Sequence, residues 1–479
     1  MTHHLPTAAV AAVLLSACSL APHYAPPAAA EVVSYKESGD WLPAYPADLQ
    51  PRGAWWEAFG DPALNDLERQ LQANPDLQAA VARFGEAHAV AQRAHSDLFP
   101  SVSARASAER ERLSANAPLA QTFGGKSVTY NDFVTALDLS WEIDLFGRLR
   151  NTAAAAGAQA QASAADLAAV ELSLRAELAS DYFSLLGDDA TIRLLEDTLG
   201  TYDRAYELTR NRYQEGIAAA TDVDQADTQR QNARAQLAAV RRERAQLEHA
   251  IAVLVGQLPS SFSLARGTLS SAPPPIDYAM PSELLQRRPD VARAERAVAA
   301  ANAQIGVARA AWFPVFTLGG AVGFEATQAA KWLNAPSQFW SVGPSAQVPV
   351  LDFGARSAIN HQARASYEET VASYRKTTLV AFQEVEDSLA ALHHSADELT
   401  ADEAAAKSAA SSARHADERY TAGVADYVEV TTTHTAALEA QRAALSARVA
   451  ELNAAVALVR ASGGGWSRTE SALAGPVTP

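Results

Sequence analysis

Cysteine is almost missing from this chain. The 479 residues hold one, Cys18, so an internal disulfide framework is excluded. Basic residues are in deficit, 39 against 55 acidic, for a net charge of −16. Such a surface repels phosphate backbones, which argues against nucleic acid as a partner. After the N-terminal stretch no run of 18 or more apolar residues occurs, so no transmembrane helix is predicted and any membrane must be crossed another way. Aromatic residues are few, at 7%. Proline is absent, and glycine scarce, from two Ala-rich runs of about 65 residues with Leu and Val at helical spacing, which predicts long packed helices. The constellations of an enzyme are also missing. Asp352-Phe353-Gly354 has no Gly-rich phosphate loop before it, and Gly319, Gly320 and Gly323 fall in a predicted strand. The histidines, His393-His394 included, lack HExxH or Cys/His spacing. No nucleophile–base pair stands out, so neither catalysis nor a metal or cofactor is expected.

What the chain does contain, it contains twice. Arg212-Tyr213-Gln214-Glu215-Gly216 recurs as Arg419-Tyr420-Thr421-Ala422-Gly423, each interrupting a long helical run. The offset is about 207 residues, shared by Phe146-Gly147 with Phe353-Gly354 and by Gly256 with Gly463. Upstream it becomes about 214, pairing Pro75-Asp76 with Pro289-Asp290 and Phe99-Pro100 with Phe313-Pro314. Two constant offsets mean one duplicated unit that lost roughly seven residues in a loop.

Taken in order, residues 1–17 read as a signal peptide. Ala8 to Ala17 is a short apolar region, and Leu15-Ser16-Ala17-Cys18 resembles a bacterial lipobox, in which the Cys thiol carries diacylglycerol and the new N-terminus an acyl chain. Ser19 after the cysteine resembles the signal for sorting to the outer membrane. Residues 18–73 form a lipidated, Pro-rich arm ending in Trp55-Trp56-Glu57-Ala58-Phe59-Gly60-Asp61-Pro62, the paired Trp read as packing anchors, and a short helix at Ala63–Gln72. Repeat 1 covers 74–256. Asn74 is a good N-cap with Pro75 in the first turn, and Phe99-Pro100 stops that helix. The period then changes to two. Val102, Ala104, Ala106 and Ala108 alternate with polar residues, as do Phe133, Thr135, Leu137, Leu139, Trp141 and Ile143. This predicts strands with one oily and one wet face. A long helix from Gly147 to about Tyr213, on the order of 100 Å, and a return helix from about Thr221 to Val255 follow. A linker, 257–288, joins repeat 2 at 289–463: a helix at Pro289–Ala311, strands near Val315–Glu325 and Phe339–Leu351, a long helix at Arg356–Thr421 and a return helix at Tyr427–Ala461. Trp340, Val342, Ala346, Val348 and Val350 are expected on one face of the fourth strand. Residues 464–479 read as a mobile tail.

The predicted class is α+β. Four strands cannot close a membrane β-barrel, and open edges are not tolerated in lipid. The strands are therefore expected to be shared by a homotrimer, twelve in all, continuing into a hollow periplasmic α-barrel of Ala-rich helices. The duplication, Asn74-Pro75-Asp76-Leu77, Asp144-Leu145-Phe146-Gly147 and Met280-Pro281-Ser282-Glu283-Leu284-Leu285-Gln286-Arg287-Arg288-Pro289-Asp290-Val291 resemble a TolC-type outer membrane factor of the OprM/NodT-like branch of efflux lipoproteins, from Cys18 to about Gly463. The resemblance implies the outer-membrane exit duct of a tripartite pump, docked onto a periplasmic adaptor and an inner-membrane transporter of the resistance-nodulation-division (RND) type. Alternatives are the exit duct of a type I protein secretion system and a non-conducting periplasmic coiled-coil scaffold, the latter disfavoured by the Phe133–Ile143 alternation. It also implies closure at the periplasmic tip. Gly216 and Gly423, with Tyr213, match the turns that receive the adaptor. Asp222 and Tyr420 match a gate pair joined by a hydrogen bond. Ala425 stands where TolC has its tip arginine, and Val428 and Glu429 fall on the constriction. Three Glu429 carboxylates in a trimer would favour cations.

Overall fold

The computed structural model describes residues 19–27, 36, 53–269, 273 and 288–464. Cys18, most of the N-terminal arm, the Met280–Arg287 stretch and the end of the chain lie outside the described residues. Among the described residues the elements are α1 (Pro62–Gln70), α2 (Pro75–Ser96), β1 (Ser101–Leu113), β2 (Val128–Ile143), α3 (Arg148–Gln214), α4 (Ala220–Leu254), α5 (Pro289–Ala310), β3 (Val315–Ala326), β4 (Gln338–Gln347), α6 (Ala355–Thr421) and α7 (Tyr427–Ala461). None of the described helices is long and apolar enough to cross a membrane. The protein is thus mostly helical with four antiparallel strands.

The chain divides into two compact units. One, built from residues 84–163 and 294–374 with the start of the chain, contains a single antiparallel sheet in the order β1-β2-β3-β4. Its ladders align residues of like polarity. Val102 faces Leu139, Leu139 faces Gly320, and Gly320 faces Val342; one row on, Ala104, Leu137, Val322 and Trp340 line up. Between these rows run Ser103, Asp138, Ala321 and Ser341. The apolar face is bare: Val102, Leu137, Val322, Trp340 and Val342 are all exposed. Arg105 meets Asp138 at 3.3 Å on the other face. The alternation seen in the sequence is therefore a two-faced sheet whose oily side the chain itself leaves uncovered.

Strand β4 is shorter than its sequence pattern. Val348 and Val350, expected in it, lie beyond its last residue Gln347. The reason is pairing: the β3 ladder begins at Val315↔Gln347, so no described strand offers hydrogen bonds further on. The short helix also ends earlier than expected, at Gln70, and tightens into a 3-10 turn at Leu71–Ala73.

The second unit holds residues 53–83, 164–293 and 375–464 as far as they are described. Its core is a stripe of α3 at helical spacing, Leu178, Tyr182, Phe183, Leu185 and Leu186, packed with Leu64, Leu67 and Leu71, with Ile251 and with Leu452. Small residues let the helices close in: a Cβ on Gly187 would sit 2.4 Å from a methyl of Val449. Trp56 is buried, with the Arg175 guanidinium 4.3 Å above its ring. Asn74 caps α2, accepting from the amides of Asp76 and Leu77, while its own amide donates to the Leu254 carbonyl at 2.8 Å. Asp189, fully buried, accepts from Arg244 at 2.7 Å and from the Gly267 amide at 3.0 Å. That pair clamps the segment following α4 onto the helices.

Candidate functional site

The repeated Arg-Tyr-x-x-Gly stretches are the ends of α3 and α6, and each closes its helix in the same way. Gly216 and Gly423 have φ of 78° and 74°. The Gly216 amide donates to the Tyr213 carbonyl at 3.0 Å, and Ile217 to Arg212 at 2.8 Å; Gly423 to Tyr420 and Val424 to Arg419 repeat it at 3.1 and 3.0 Å. This is the Schellman arrangement, which puts its C′ residue in the left-handed region and so selects glycine. No other atom lies within 4 Å of where a Cβ would stand on either glycine. The turns leave Ile217 and Val424 about 70% exposed, beside exposed Tyr213 and Val428.

The return helices start differently. Asp426 is the N-cap of α7 and accepts from the Glu429 amide at 3.1 Å. Helix α4 begins after Ala219, whose amide donates to the Asp222 carboxylate at 3.3 Å. Asp222 therefore supplies the reaching-back half of a capping box, with Ala219 unable to supply the other.

The two hairpin ends are joined through aromatic rings. Tyr427, buried beside Ala226, Ala416 and Val430, is flanked by Tyr206 and Tyr420. The Tyr420 and Tyr427 rings meet edge-on at 5.4 Å. Burial, and then the neighbouring Tyr420, push the Tyr427 phenol up to about 12. Arg212 lies 4.9 Å over the Tyr420 ring and donates to the carbonyls of Tyr420 and Thr421 at 3.4 and 3.5 Å. A cation on the last carbonyls of α6 is favoured by the helix dipole as well as by the ring. Arg230 covers Tyr206 at 4.0 Å. Asp417 and His434, facing each other across the α6–α7 turn, are 2.9 Å apart.

Two implied features look different in the single chain. No hydrogen bond joins Tyr420 to Asp222 among the described residues; the Tyr420 hydroxyl is 3.5 Å from Thr209 Oγ1. Glu429 is not an isolated carboxylate, because Arg419 stands 3.4 Å from it. The arginine that the sequence lacks at Ala425 thus has a counterpart ten positions before Glu429, on the other side of the turn. Sequence reading missed Arg212, Arg419 and Tyr427. The signal was available for both arginines, since each precedes the repeated tyrosine. Lipidation at Cys18 lies outside the described residues.

The sequence profile of the family described as "Outer membrane efflux protein" matches residues 67–257 and 280–464. Over 474 residues the chain is 33% identical to a probable efflux pump outer membrane protein, TtgC of Pseudomonas putida, covering 97% of this chain and 96% of that protein. It is 31% identical over 440 residues to the pyoverdine export outer membrane protein OpmQ of Pseudomonas aeruginosa, covering 91% and 92%. The fold matches the outer-membrane channel OprN with a TM-score of 0.86 at 30% identity, over 94% of this chain and 100% of that one. The CmeC outer membrane channel of Campylobacter jejuni matches in fold with a TM-score of 0.88 at 24% identity, over 94% and 96%.

Proposed function

We infer how this protein works from one premise: the chain belongs to the outer membrane efflux protein family and is an outer-membrane efflux channel, not an enzyme. It acts as the passive exit duct of a tripartite pump. A lipid on Cys18 anchors it, and three copies share one β-barrel in the outer membrane. The helical hairpins reach into the periplasm, where Gly216, Gly423 and Tyr213 form the tip that meets an adaptor protein, which links the duct to an RND-type transporter in the inner membrane. The tip is the gate, with Asp222, Tyr420, Val428 and Glu429 as its residues.

The observation that carries the duct reading is the sheet: a bare apolar face backed by a polar one, with β1 and β4 left as edges that no other described strand pairs. A sheet of this kind is stable in lipid only when its edges are closed and its other face lines water. The tip reading is supported by the rebuilt Schellman turns, which present apolar residues at the hairpin ends, and by the ring cluster that makes those ends one rigid piece. No hydrogen bond joins Asp222 to Tyr420 among the described residues, so we assign their bond to the assembled tip, between neighbouring copies. The cargo is not written in these residues: relatives in this family are named for toluene and for pyoverdine.

The purified lipidated protein is expected to insert into planar bilayers and pass small cation-preferring currents. A folded, lipidated protein that binds membranes and never conducts would replace the duct by the scaffold reading.

A further inference from the structure

The offsets of about 214 and 207 residues that relate β1 to β3 and β2 to β4 carry the pair Ser103↔Asp138 onto Thr317↔Ser345, itself an observed pair. The repeats therefore share one register and can be compared position by position. They differ in chemistry where their first strands end. Phe324 and Ala326 close the oily face of β3, beside Thr135 and Phe133. Their equivalents in β1 are Arg110 and Arg112. A strand in this place accepts apolar residues there, so the fold alone does not call for the two arginines.

Strand β1 ends in Glu109-Arg110-Glu111-Arg112, and the period of two sorts the signs by face. Arg110 and Arg112 share the face of Val102 and Ala104, beside Asn131 and Thr129 of β2. Glu109 and Glu111 share the face of Ser103, beside Asp132 and Tyr130, and the Tyr130 hydroxyl donates to Glu111 at 2.7 Å. Glu325, opposite Val134, is on that polar face too. The turns at this end, 114–127 and 327–337, contain Lys126 and Lys331 and no acidic residue. In a chain of net charge −16, the oily face thus ends in cations alone. Both arginines are exposed. Among the described residues no carboxylate is in ion-pair reach of either; Arg112 donates to Ser127 Oγ at 3.2 Å. The other end of the sheet, where the helices attach, is the opposite case. There Arg148, Arg150 and Arg356 are held by Glu142, Asp144 and Asp352 at 2.6, 3.3 and 2.5 Å.

The depth of the arginines follows from the ladder. The apolar rows run from Ile143↔Phe316 to Phe133↔Ala326, ten positions of β2. At about 3.4 Å per residue and a tilt of roughly 40°, that is about 26 Å, close to the height of an apolar barrel band. Trp332, 5.4 Å from Phe133, marks the rim away from the helices. Arg110 and Arg112 lie one and two rows past it, about 5 and 10 Å beyond the band, which is headgroup depth. We propose that Arg110 and Arg112 bind the phosphate of a lipid headgroup in the outer leaflet, with Asn131 and Thr129 beside it. Guanidinium forks match phosphate oxygens two at a time, and two forks roughly 7 Å apart along one strand can grip one headgroup together. Sorting the carboxylates to the other face leaves nothing on this one to compete for them. The site goes beyond the duct reading and rests on it, because it needs the oily face in lipid.

The purified, full-length, lipidated protein tests this in mild detergent by native mass spectrometry, with bis-phosphorylated lipid A as the probe and dephosphorylated lipid A beside it. Wild type is expected to hold the phosphorylated lipid roughly tenfold more tightly. Arg110→Gln with Arg112→Gln should abolish that preference, whereas Glu109→Gln with Glu111→Gln, on the other face, should leave it in place. A wild type without preference, or a preference that survives in the arginine double variant, overturns the site. Displacement of the lipid by an equal concentration of inorganic phosphate would reassign the site to the free anion and overturn the lipid. The barrel reading is checked separately in phosphatidylcholine vesicles with brominated acyl chains, through the fluorescence that Trp340→Phe removes. Both double variants should be quenched there as wild type is, so that a lost preference is not a lost fold. Quenching without any phosphate preference overturns this proposal alone. Inserted protein without quenching overturns the barrel reading along with it.

Discussion

Removing the Asp189 carboxylate should release the segment that follows α4. Asp189 is fully buried, and its two oxygens hold different parts of the fold: one accepts from Arg244 Nε at 2.7 Å, the other from the Gly267 amide at 3.0 Å. In Asp189→Ala the Gly267 amide loses its acceptor. Arg244, itself largely buried, keeps Glu248 at 2.9 Å and the Leu264 carbonyl at 2.8 Å. Breaking one side of a buried pair costs about 3–5 kcal/mol. The partners left to Arg244 place this case near the lower end, about 3 kcal/mol. Asp189→Asn retains an acceptor and should cost roughly half as much, about 1.5 kcal/mol, close to the value of a single buried hydrogen bond. Two assays read this together: the denaturant midpoint of the detergent-solubilised protein, and limited proteolysis within residues 258–269. The Ala variant should lose about 3 kcal/mol and be cut early in that segment. An Ala variant within about 1 kcal/mol of wild type, with the segment still protected, would refute the clamp.

Other consequences can be checked separately. Arg419→Ala strips Glu429 of its counterion at 3.4 Å, so reversal potentials across a KCl gradient should move toward stronger cation selectivity; stability should change by less than about 1 kcal/mol, because the pair is exposed. Unchanged selectivity would remove Glu429 from the conducting path. Gly423→Ala meets no neighbour and should cost only the left-handed backbone, about 1–2 kcal/mol. Gly256→Ala adds to a φ of 71° a Cβ 2.5 Å from the Ala73 carbonyl oxygen and should be clearly worse in thermal melts; equal losses would show that the loop shifts freely. Burial, and then the Glu243 carboxylate, push the Asp188 carboxyl up to about 6. An acid raised on folding stabilises fully below its unfolded value, near 4, and loses that contribution as pH rises through 6. Asp188→Asn should therefore be more stable than wild type at pH 8, by roughly 1–2 kcal/mol after screening by the solvent that reaches it. The gap should vanish near pH 4, and a pH-independent gap would contradict the burial argument.

The strands were legible because a half-buried sheet imprints a period of two, and the helices because proline is absent over tens of residues. The two offsets between repeats contained more than the existence of a duplication: they carried the ladder registers. What the pattern misjudged was the end of β4, and for a physical reason. Periodicity reports the face a residue is suited to, whereas a strand exists only where another strand supplies hydrogen bonds. At the tip, Gly216 and Gly423 were legible because a left-handed turn admits few other residues. The repeat marked Arg212 and Arg419 but not their roles, and Tyr427 carried no mark at all, since those roles depend on a carbonyl or ring placed opposite them by the pairing of two hairpins about 207 residues apart in the chain. The role of Asp222 changed most: the resemblance implied a bond to Tyr420, and in the single chain its carboxylate holds the Ala219 amide.

Single-channel conductance of the lipidated protein, wild type beside Asp222→Ala combined with Tyr420→Phe, tests most directly whether this is a duct closed at its tip. Wild-type currents are expected to be small and flickering, and those of the double variant several-fold larger with longer openings. Currents unchanged by the two substitutions would contradict the assigned gate and shift it to Val428 and Glu429. The absence of any current from inserted, well-folded protein would contradict the duct itself.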